Sequence, residues 1–205
     1  IDVVIGNYNK SNKVDKVEEY LKTKKQIIAK DNIMSVPFED MEINHVETRT
    51  RAFVKIQDGC ENYCAYCIIP FVRGRCRSKY TDTVIREITN LVNNGYKEIV
   101  LTGIHTGNYG ADLGIKFSDL LEEILDIVGL KRLRISSIEI TELDEKFFEL
   151  LKNPVLCNHL HIPLQSGSDN ILKLMNRKYT KEEFKKIIDK IRFIRPDISI
   201  TTDVI

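Results

Sequence analysis

From about residue 50 onward the chain alternates between two hydrophobic periods, and that alternation limits its fold more than any other feature. Strand-like runs rich in Val, Ile and Leu occur at AFVKIQ (52–57), EIVLTGI (98–104), RLRISSIEI (132–140), HLHIPLQ (159–165) and ISITTDVI (198–205). Segments of helical period separate them. One places Val84, Ile88, Leu91 and Val92 on a single face, the next Phe117, Leu120, Leu121, Ile124 and Val128, and the last Phe184, Ile187, Ile188, Ile191 and Ile194. Asp144 stands where a helix N-cap belongs, and Thr180 with Glu183 forms a capping-box pattern. Repeated strand-plus-helix rounds require a parallel sheet covered by helices, either doubly wound or curled into a barrel.

Ahead of that array, Val3–Ile5 reads as a short buried strand that turns at Gly6-Asn7 into a helix near Val14–Leu21. Residues 24–49 are polar and weakly periodic, with Pro37 breaking any helix, and read as a linker. The expected organisation is therefore 1–23, the end of an α/β domain; 24–49, a linker; and 50–205, the main core. The sequence starts without methionine and stops within a strand-like run, which suggests an excised core. Its longest apolar runs fall well short of the ~20 residues that a membrane span needs, and it shows no leader pattern, so the expectation is a cytoplasmic protein without a membrane partner. Lysine and arginine nearly cancel the acids, for a formal charge of +1, so any polyanion-binding signal must be local.

The unusual chemistry lies where the strands end. Cysteines follow the first, TGIHTGNYG the second, SSIE closes the third and PLQSGSD follows the fourth. The C-terminal rim of parallel strands is where both barrels and open α/β sheets build their sites. Three of the five cysteines, Cys60, Cys64 and Cys67, fall within DGCENYCAYCIIP (58–70). An odd cysteine count with three clustered thiols fits a reducing compartment and a metal better than a disulfide framework. Three ligands are one short of a closed zinc site. Cys76 could complete a four-cysteine zinc or iron–sulfur site, and Cys157 or His105 could fold in from elsewhere. The thiols could be buried and inert, or they could hold a [4Fe–4S] cluster with one iron left open.

The loop Cys60-x3-Cys64-Ala65-Tyr66-Cys67 resembles the signature of the radical S-adenosylmethionine (SAM) superfamily. KIQDGCENYCAYCIIPFVRGRCRS, LTGIHTGNYG and HLHIPLQSGSDNILKLMNRKYT together resemble the methylthiotransferases that modify transfer RNA, over residues 50–205. GIHTGNYG is most similar to the branch acting on N6-threonylcarbamoyladenosine at position 37, next to the anticodon; the branch acting on isopentenyladenosine usually differs there. The resemblance implies a partial (βα)6 radical SAM barrel. It implies a [4Fe–4S] cluster on Cys60, Cys64 and Cys67 whose open iron is chelated by SAM, an electron donor, and tRNA as partner. Reductive cleavage of SAM would give a radical that takes hydrogen from adenine carbon 2, so that sulfur can be inserted. A second cluster is implied on three cysteines of an upstream domain, of which residues 1–23 resemble the end.

The resemblance also suggests roles for single residues, each with a plain structural alternative. Tyr66 would pack near the cluster and the adenine of SAM, or serve as a core aromatic. Ser137 and Glu139 would bind the ribose hydroxyls, a carboxylate being able to accept two hydrogen bonds from a diol. Gln165, Ser166 and Ser168 would hold the methionyl carboxylate on exposed backbone N–H groups and hydroxyls, with Ser168 as a simple helix cap in the alternative. Arg177 would fork onto the same carboxylate, or lie solvated on the surface. His159 and His161 share a strand face and are expected to pack inside with hydrogen bonds. The basic run Arg73, Arg75, Arg77 and Lys79 would contact RNA phosphates, with Tyr63, Phe71 or Tyr109 stacking on an extruded base. No residue is assigned to the chemical step itself. A different class of reading makes the chain a non-catalytic metal-binding or electron-transfer module in which Cys76 closes the site.

Overall fold

The structure is a computed structural model that describes residues 1–8, 10–30, 32–41 and 50–205. Residues 31 and 42–49 of the expected linker lie outside the described residues. Strand β1 (Val3–Ile5), helix α1 (Lys13–Thr23) and strand β2 (Ile27–Ala29) form a small unit in which β1 and β2 pair in parallel, Val3 opposite Ile27. β2 falls within the stretch read as linker. Its IIA triplet is too short to show a period, and only pairing with β1 makes it a strand. Helix α1 buries none of its side chains, and β1 is half-buried rather than buried.

The main body follows the strand-plus-helix alternation. Its strands are β3 (Arg51–Lys55), the two-residue β4 (Gln57–Asp58) and β5 (Arg77–Ser78), β6 (Glu98–Thr102), β7 (Arg132–Ile135), β8 (His159–His161) and β9 (Ser199–Thr201). Its helices are α2 (Ile69–Arg73), α3 (Thr81–Asn93), α4 (Phe117–Leu125), α5 (Glu145–Leu150), α6 (Asp169–Leu174) and α7 (Lys181–Ile194). β3, β6 and β7 pair in parallel in that order, as do β8 and β9. A parallel bridge between Leu133 and Leu156 links β7 to the segment leading into β8. Strands that neighbour one another in sequence order, all parallel, are the arrangement of a curling barrel rather than of a doubly wound sheet, where the order reverses.

Alternation in the strands decides which face is covered. Ala52 and Val54 of β3 and Leu133 and Ile135 of β7 are buried under the helices, where Val84, Ile88 and Leu91 of α3, Leu120, Leu121 and Ile124 of α4 and Phe147 of α5 meet them. Each such Val, Leu, Ile or Phe side chain contributes about 1.5–3 kcal/mol on burial. The opposite face carries charge. Glu98 gathers Arg132 (2.8 Å), Arg134 (3.2 Å) and Arg51 (3.6 Å) from the neighbouring strands. His159 and His161 share that face, and both ring systems meet Thr201 Oγ1 across β8 and β9, at 3.1 and 2.9 Å. The caps form as their sequence suggests: Asp144 accepts from the Phe147 N–H at 2.8 Å, and Thr180 and Glu183 complete a capping box.

Candidate functional site

The cysteine loop is an excursion from a short antiparallel clamp. β4 pairs with β5, Gln57 opposite Ser78 and Asp58 opposite Arg77, and residues 59–76 loop out between them. The Cys60 N–H closes the base on Gly74 O at 3.1 Å. Gln57, wholly buried, organises that base. Its amide nitrogen lies within hydrogen-bonding distance of Gly59 O (2.7 Å), Asp58 O (3.1 Å) and Cys76 Sγ (3.3 Å), while its amide oxygen accepts the His105 N–H at 2.8 Å. Gly59 sits at φ +76°, and a Cβ there would fall 1.9 Å from Arg75 O, so no other residue fits directly before Cys60.

The turn between α6 and α7 holds the far side of the loop. Ala65 donates its N–H to Met175 O at 3.1 Å, and the Asn176 side chain donates to Tyr63 O (2.9 Å) and Asn62 O (3.2 Å). Arg177, its side chain 4 % exposed, points Nη1 at Cys64 Sγ (3.3 Å) and Nη2 at Glu139 Oε1 (2.9 Å), and its Nε donates to Tyr179 OH (3.2 Å). Burial would lower the Arg177 pKa, but Glu139, Tyr179 and Cys64 outweigh it and raise it. The Tyr179 hydroxyl reaches Pro163 O and Leu164 O, tying the segment that leads to Gln165 to the same network. Among the described residues, three of the four non-glycine residues with positive φ, Tyr63, Gln165 and Asn176, lie in this network. Backbone held in a sparsely populated region is a mark of functional sites.

A second anchor comes from the loop after β6. His105 Nδ1 lies 3.6 Å from Cys60 Sγ, and its Nε2 pairs with Glu142. Burial would push this imidazole down, but the Cys60 and Glu142 contacts push it up to about 10. Glu142 also accepts the Glu139 N–H at 3.0 Å, so both carboxylates belong to one capped turn after β7. GIHTGNYG is thus a packed segment. A Cβ on Gly107 would meet Glu142 Oε2 at 2.0 Å, and Tyr109 is buried with its hydroxyl donating to Lys79 O at 2.7 Å.

The donor set fits a polynuclear cluster better than a single metal ion. Among the described residues, the one group of three or more His, Cys, Asp and Glu ligand atoms lying within 4.8 Å of one another is His105, Glu139 and Glu142, and it contains no cysteine. A tetrahedral zinc ion with Zn–S bonds of ~2.3 Å would need its sulfurs roughly 3.8 Å apart. Cys60, Cys64 and Cys67 are free and half-exposed, as ligands of an inorganic cluster should be. Cys76 is buried, its thiol donating to Asn108 O at 3.4 Å, and burial raises its pKa; Cys157 is likewise buried and raised. Cys76 thus sits in the base of the loop beside Gln57, apart in burial from the three half-exposed thiols.

The other sequence candidates divide. Glu139 and Arg177 meet each other directly, and Asn62 Nδ2 reaches Glu139 Oε2 at 3.4 Å. Arg177 is not a solvated surface arginine. Tyr66 is exposed and is not a core aromatic; what burial it has raises its phenol pKa, opposed by Arg177. Ser137 is half-buried just beyond β7, two residues before Glu139. Gln165 continues the β8–β9 pairing, donating its N–H to Asp203 O (2.9 Å) and accepting from the Ile205 N–H (2.9 Å). Ser166 is buried and accepts the Ser168 N–H at 3.3 Å, while Ser168 makes no side-chain cap bond. The basic run is corrected. Lys79, 2 % exposed, pairs with Glu87 and Asp40 at 2.7 Å each, and both Arg77 and the half-buried Arg73 face Asp58, Arg77 also donating to Ile33 O, which leaves Arg75 exposed. Tyr109 is too buried to stack on a base, whereas Tyr63 and Phe71 are exposed and meet edge to face at 6.1 Å. Glu142, Asn62, Asn176 and Gln57 carried no recognisable sequence signal, apart from the glycine at 107 that makes room for Glu142.

No helix among the described residues is long and apolar enough to cross a membrane. The sequence model of the radical SAM superfamily matches residues 54–205. The whole chain is 42% identical to the threonylcarbamoyladenosine tRNA methylthiotransferase MtaB of Bacillus subtilis, covering 46% of that protein. It is 39% identical to the tRNA-2-methylthio-N(6)-dimethylallyladenosine synthase of Clostridium tetani, again covering 46%. The chain therefore spans about half the length of these curated relatives. Among solved structures, the radical SAM methyltransferase TsrM from Kitasatospora setae, with cobalamin and a [4Fe-4S] cluster bound, superposes with a TM-score of 0.57 at 20% identity, over 75% of this chain and 30% of that one. The cobalamin-dependent radical enzyme OxsB, with aqua-cobalamin and SAM bound, gives 0.59 at 11% identity, over 75% and 23%. With parallel strands in sequence order, a three-cysteine loop at their C-terminal rim and a superfamily model matching residues 54–205, the chain belongs to the radical SAM superfamily.

Proposed function

We propose that this chain is the core of an enzyme that uses an iron–sulfur cluster and SAM to place a methylthio group on carbon 2 of N6-threonylcarbamoyladenosine at position 37 of tRNA. The observation that carries the reading is the loop with three half-exposed thiols, two of which receive basic side chains, His105 on Cys60 and Arg177 on Cys64. Cys60, Cys64 and Cys67 would hold a [4Fe–4S] cluster, which supplies the electron for reductive cleavage of SAM, taken in turn from an external donor. The chain's own residues bind and orient. Glu139, with Ser137, is assigned to the SAM ribose; Arg177, with Gln165 and Ser166, to its methionyl carboxylate; Tyr66 to the edge of its adenine. Exposed Tyr63 and Phe71 are the aromatic surfaces open to a base. A second cluster, on cysteines of an upstream domain, belongs to the same proposal, as does the organisation into 1–23, 24–49 and 50–205.

The threonylcarbamoyl substrate is preferred over the prenylated one because the relative named for it is 42% identical, against 39% for the dimethylallyl relative, and because GIHTGNYG resembles that branch. Sulfur-modification profiling of tRNA from cells lacking the gene tests the proposal. Loss of the methylthio group from threonylcarbamoyladenosine, with the prenylated adenosine unchanged, is the expected result. The opposite pattern assigns the chain to the prenyl substrate, and no change in either removes the tRNA reading.

A further inference from the structure

Residues 33–40, between β2 and β3, meet the clamp that carries the cysteine loop, and their contacts gather at the two ends of the segment. At one end Ile33 O accepts from Arg77 Nη1 at 2.9 Å and crowds Gly74, where a Cβ would fall 2.4 Å from the same oxygen. Arg77 turns Nη2 to Asp58 (3.6 Å), and Gly74 O receives the Cys60 N–H (3.1 Å), so one carbonyl bears on both sides of the loop base. At the other end, Glu39 pairs with Lys10 of the small upstream unit at 3.0 Å, and Asp40 pairs with the buried Lys79, just past β5, at 2.7 Å. A second tie joins the same two bodies, since Asn7 donates its side-chain N–H to Val72 O of α2 at 3.1 Å. None of residues 33–40 is buried, and a cavity of about 410 Å³ is lined both by this segment and by residues 75–80. We propose that residues 33–40 form a detachable strap that couples the upstream unit to the base of the cysteine loop, steadying the three thiols when fastened and loosening residues 58–78 when released.

The energetics favour a fastening that can open by itself. A segment that buries no side chain and is held by a few polar contacts opens at a cost well below that of global unfolding. The Asp40 side is 46 % exposed, which keeps its ion pair weak. Lys79 retains Glu87 at 2.7 Å when Asp40 leaves, so release strands no unpaired charge in the core. Ile33 and Asp40 touch neither thiol nor substrate; they act on Cys60 through Gly74, Arg77 and Lys79, which makes them positioning residues. Coupling of this kind is reciprocal. A cluster that fixes the loop from within must also fasten the strap, and whatever holds the upstream unit in place must steady the thiols.

Hydrogen exchange read by mass spectrometry tests the coupling on the full chain, both metal-free and after anaerobic reconstitution with iron and sulfide. Wild type is compared with Asp40→Ala, Asp40→Asn and, as a control that breaks a surface pair elsewhere, Lys152→Ala. In the metal-free chain Asp40→Ala is expected to speed exchange in 33–40 and in 58–78 by about two- to fivefold, the effect of losing one partly exposed ion pair, with α3 and β6 unchanged. Reconstitution is expected to slow exchange in 33–40 of wild type, and to do so less in Asp40→Ala. Faster exchange in 33–40 with 58–78 unmoved overturns the coupling. So does equal loosening of α3 and β6, the mark of general destabilisation. Only the reconstituted arm rests on the reading that the three thiols hold a cluster: a wild-type chain that takes up no iron overturns that reading, and the metal-free arm still decides the strap. Should Asp40→Ala fail to fold, Asp40→Asn, which removes the charge and keeps the size, decides by the same readout.

Discussion

Arg177 and Glu139 lie 38 positions apart in sequence and face each other at 2.9 Å, between the turn after α6 and the turn after β7. That pair sets Arg177 over Cys64, so a residue far along the chain helps to hold the cysteine loop in place. Glu139→Ala leaves the buried guanidinium without its carboxylate. The expected cost is about 3–5 kcal/mol, the usual loss when one partner of a buried ion pair is removed, read as a lower denaturation midpoint. SAM affinity, measured by calorimetry on reconstituted protein, should fall by about 1–3 kcal/mol while iron content is retained. Unchanged affinity would make Glu139 structural only.

Cysteine substitutions should divide sharply. Cys60→Ala, Cys64→Ala and Cys67→Ala are expected to abolish the bound cluster, because each removes one of three protein bonds to it. Cys76→Ala and Cys157→Ala should retain it, since both thiols are buried away from the loop's free edge. Iron analysis after anaerobic reconstitution decides this, and loss of iron in Cys76→Ala would favour the closed-site alternative.

Gly59 offers a backbone test. With φ at +76° and Arg75 O 1.9 Å from any added Cβ, Gly59→Ala must displace the loop base that positions Cys60. Strain of about 1–3 kcal/mol is expected, together with reduced iron retention, whereas Gly95→Ala, whose Cβ meets nothing within 4 Å, should retain iron normally.

Asp58 gives the clamp a pH dependence. Burial pushes its carboxyl pKa up, but Lys55, the Gly59 N–H and Arg77 outweigh burial and hold it below the usual value. A carboxylate depressed in the folded state stabilises the fold above its unfolded pKa of ~3.9 and loses that contribution as pH falls through the folded value. Denaturation midpoints of the metal-free chain should therefore drop as pH falls below about 4, and Asp58→Asn should flatten that slope. A slope unchanged in Asp58→Asn would remove the carboxylate from the clamp's stability.

The main strands and helices beyond residue 50 were legible because period-2 and period-3.6 apolar patterns follow directly from strand and helix geometry. Asp144 and Thr180 were legible as caps for the same local reason. The cysteine loop announced itself through residue type and spacing, and its rim position through the polar residues that follow each strand. Strand β2 was not legible, because three residues carry no period and only a partner strand defines them. The basic run misled: alternation marks Arg73, Arg75, Arg77 and Lys79 as alike, but only tertiary neighbours such as Asp58, Glu87 and Asp40 show which are already engaged. The same holds for His105, Glu139, Glu142 and Arg177. The sequence by itself determined which elements form and which chemistry they carry, since both depend on neighbours a few residues away. Only the tertiary structure decided which carboxylate meets which base and which base meets which sulfur, because those contacts join residues brought together by the closing of separate strand ends onto one rim.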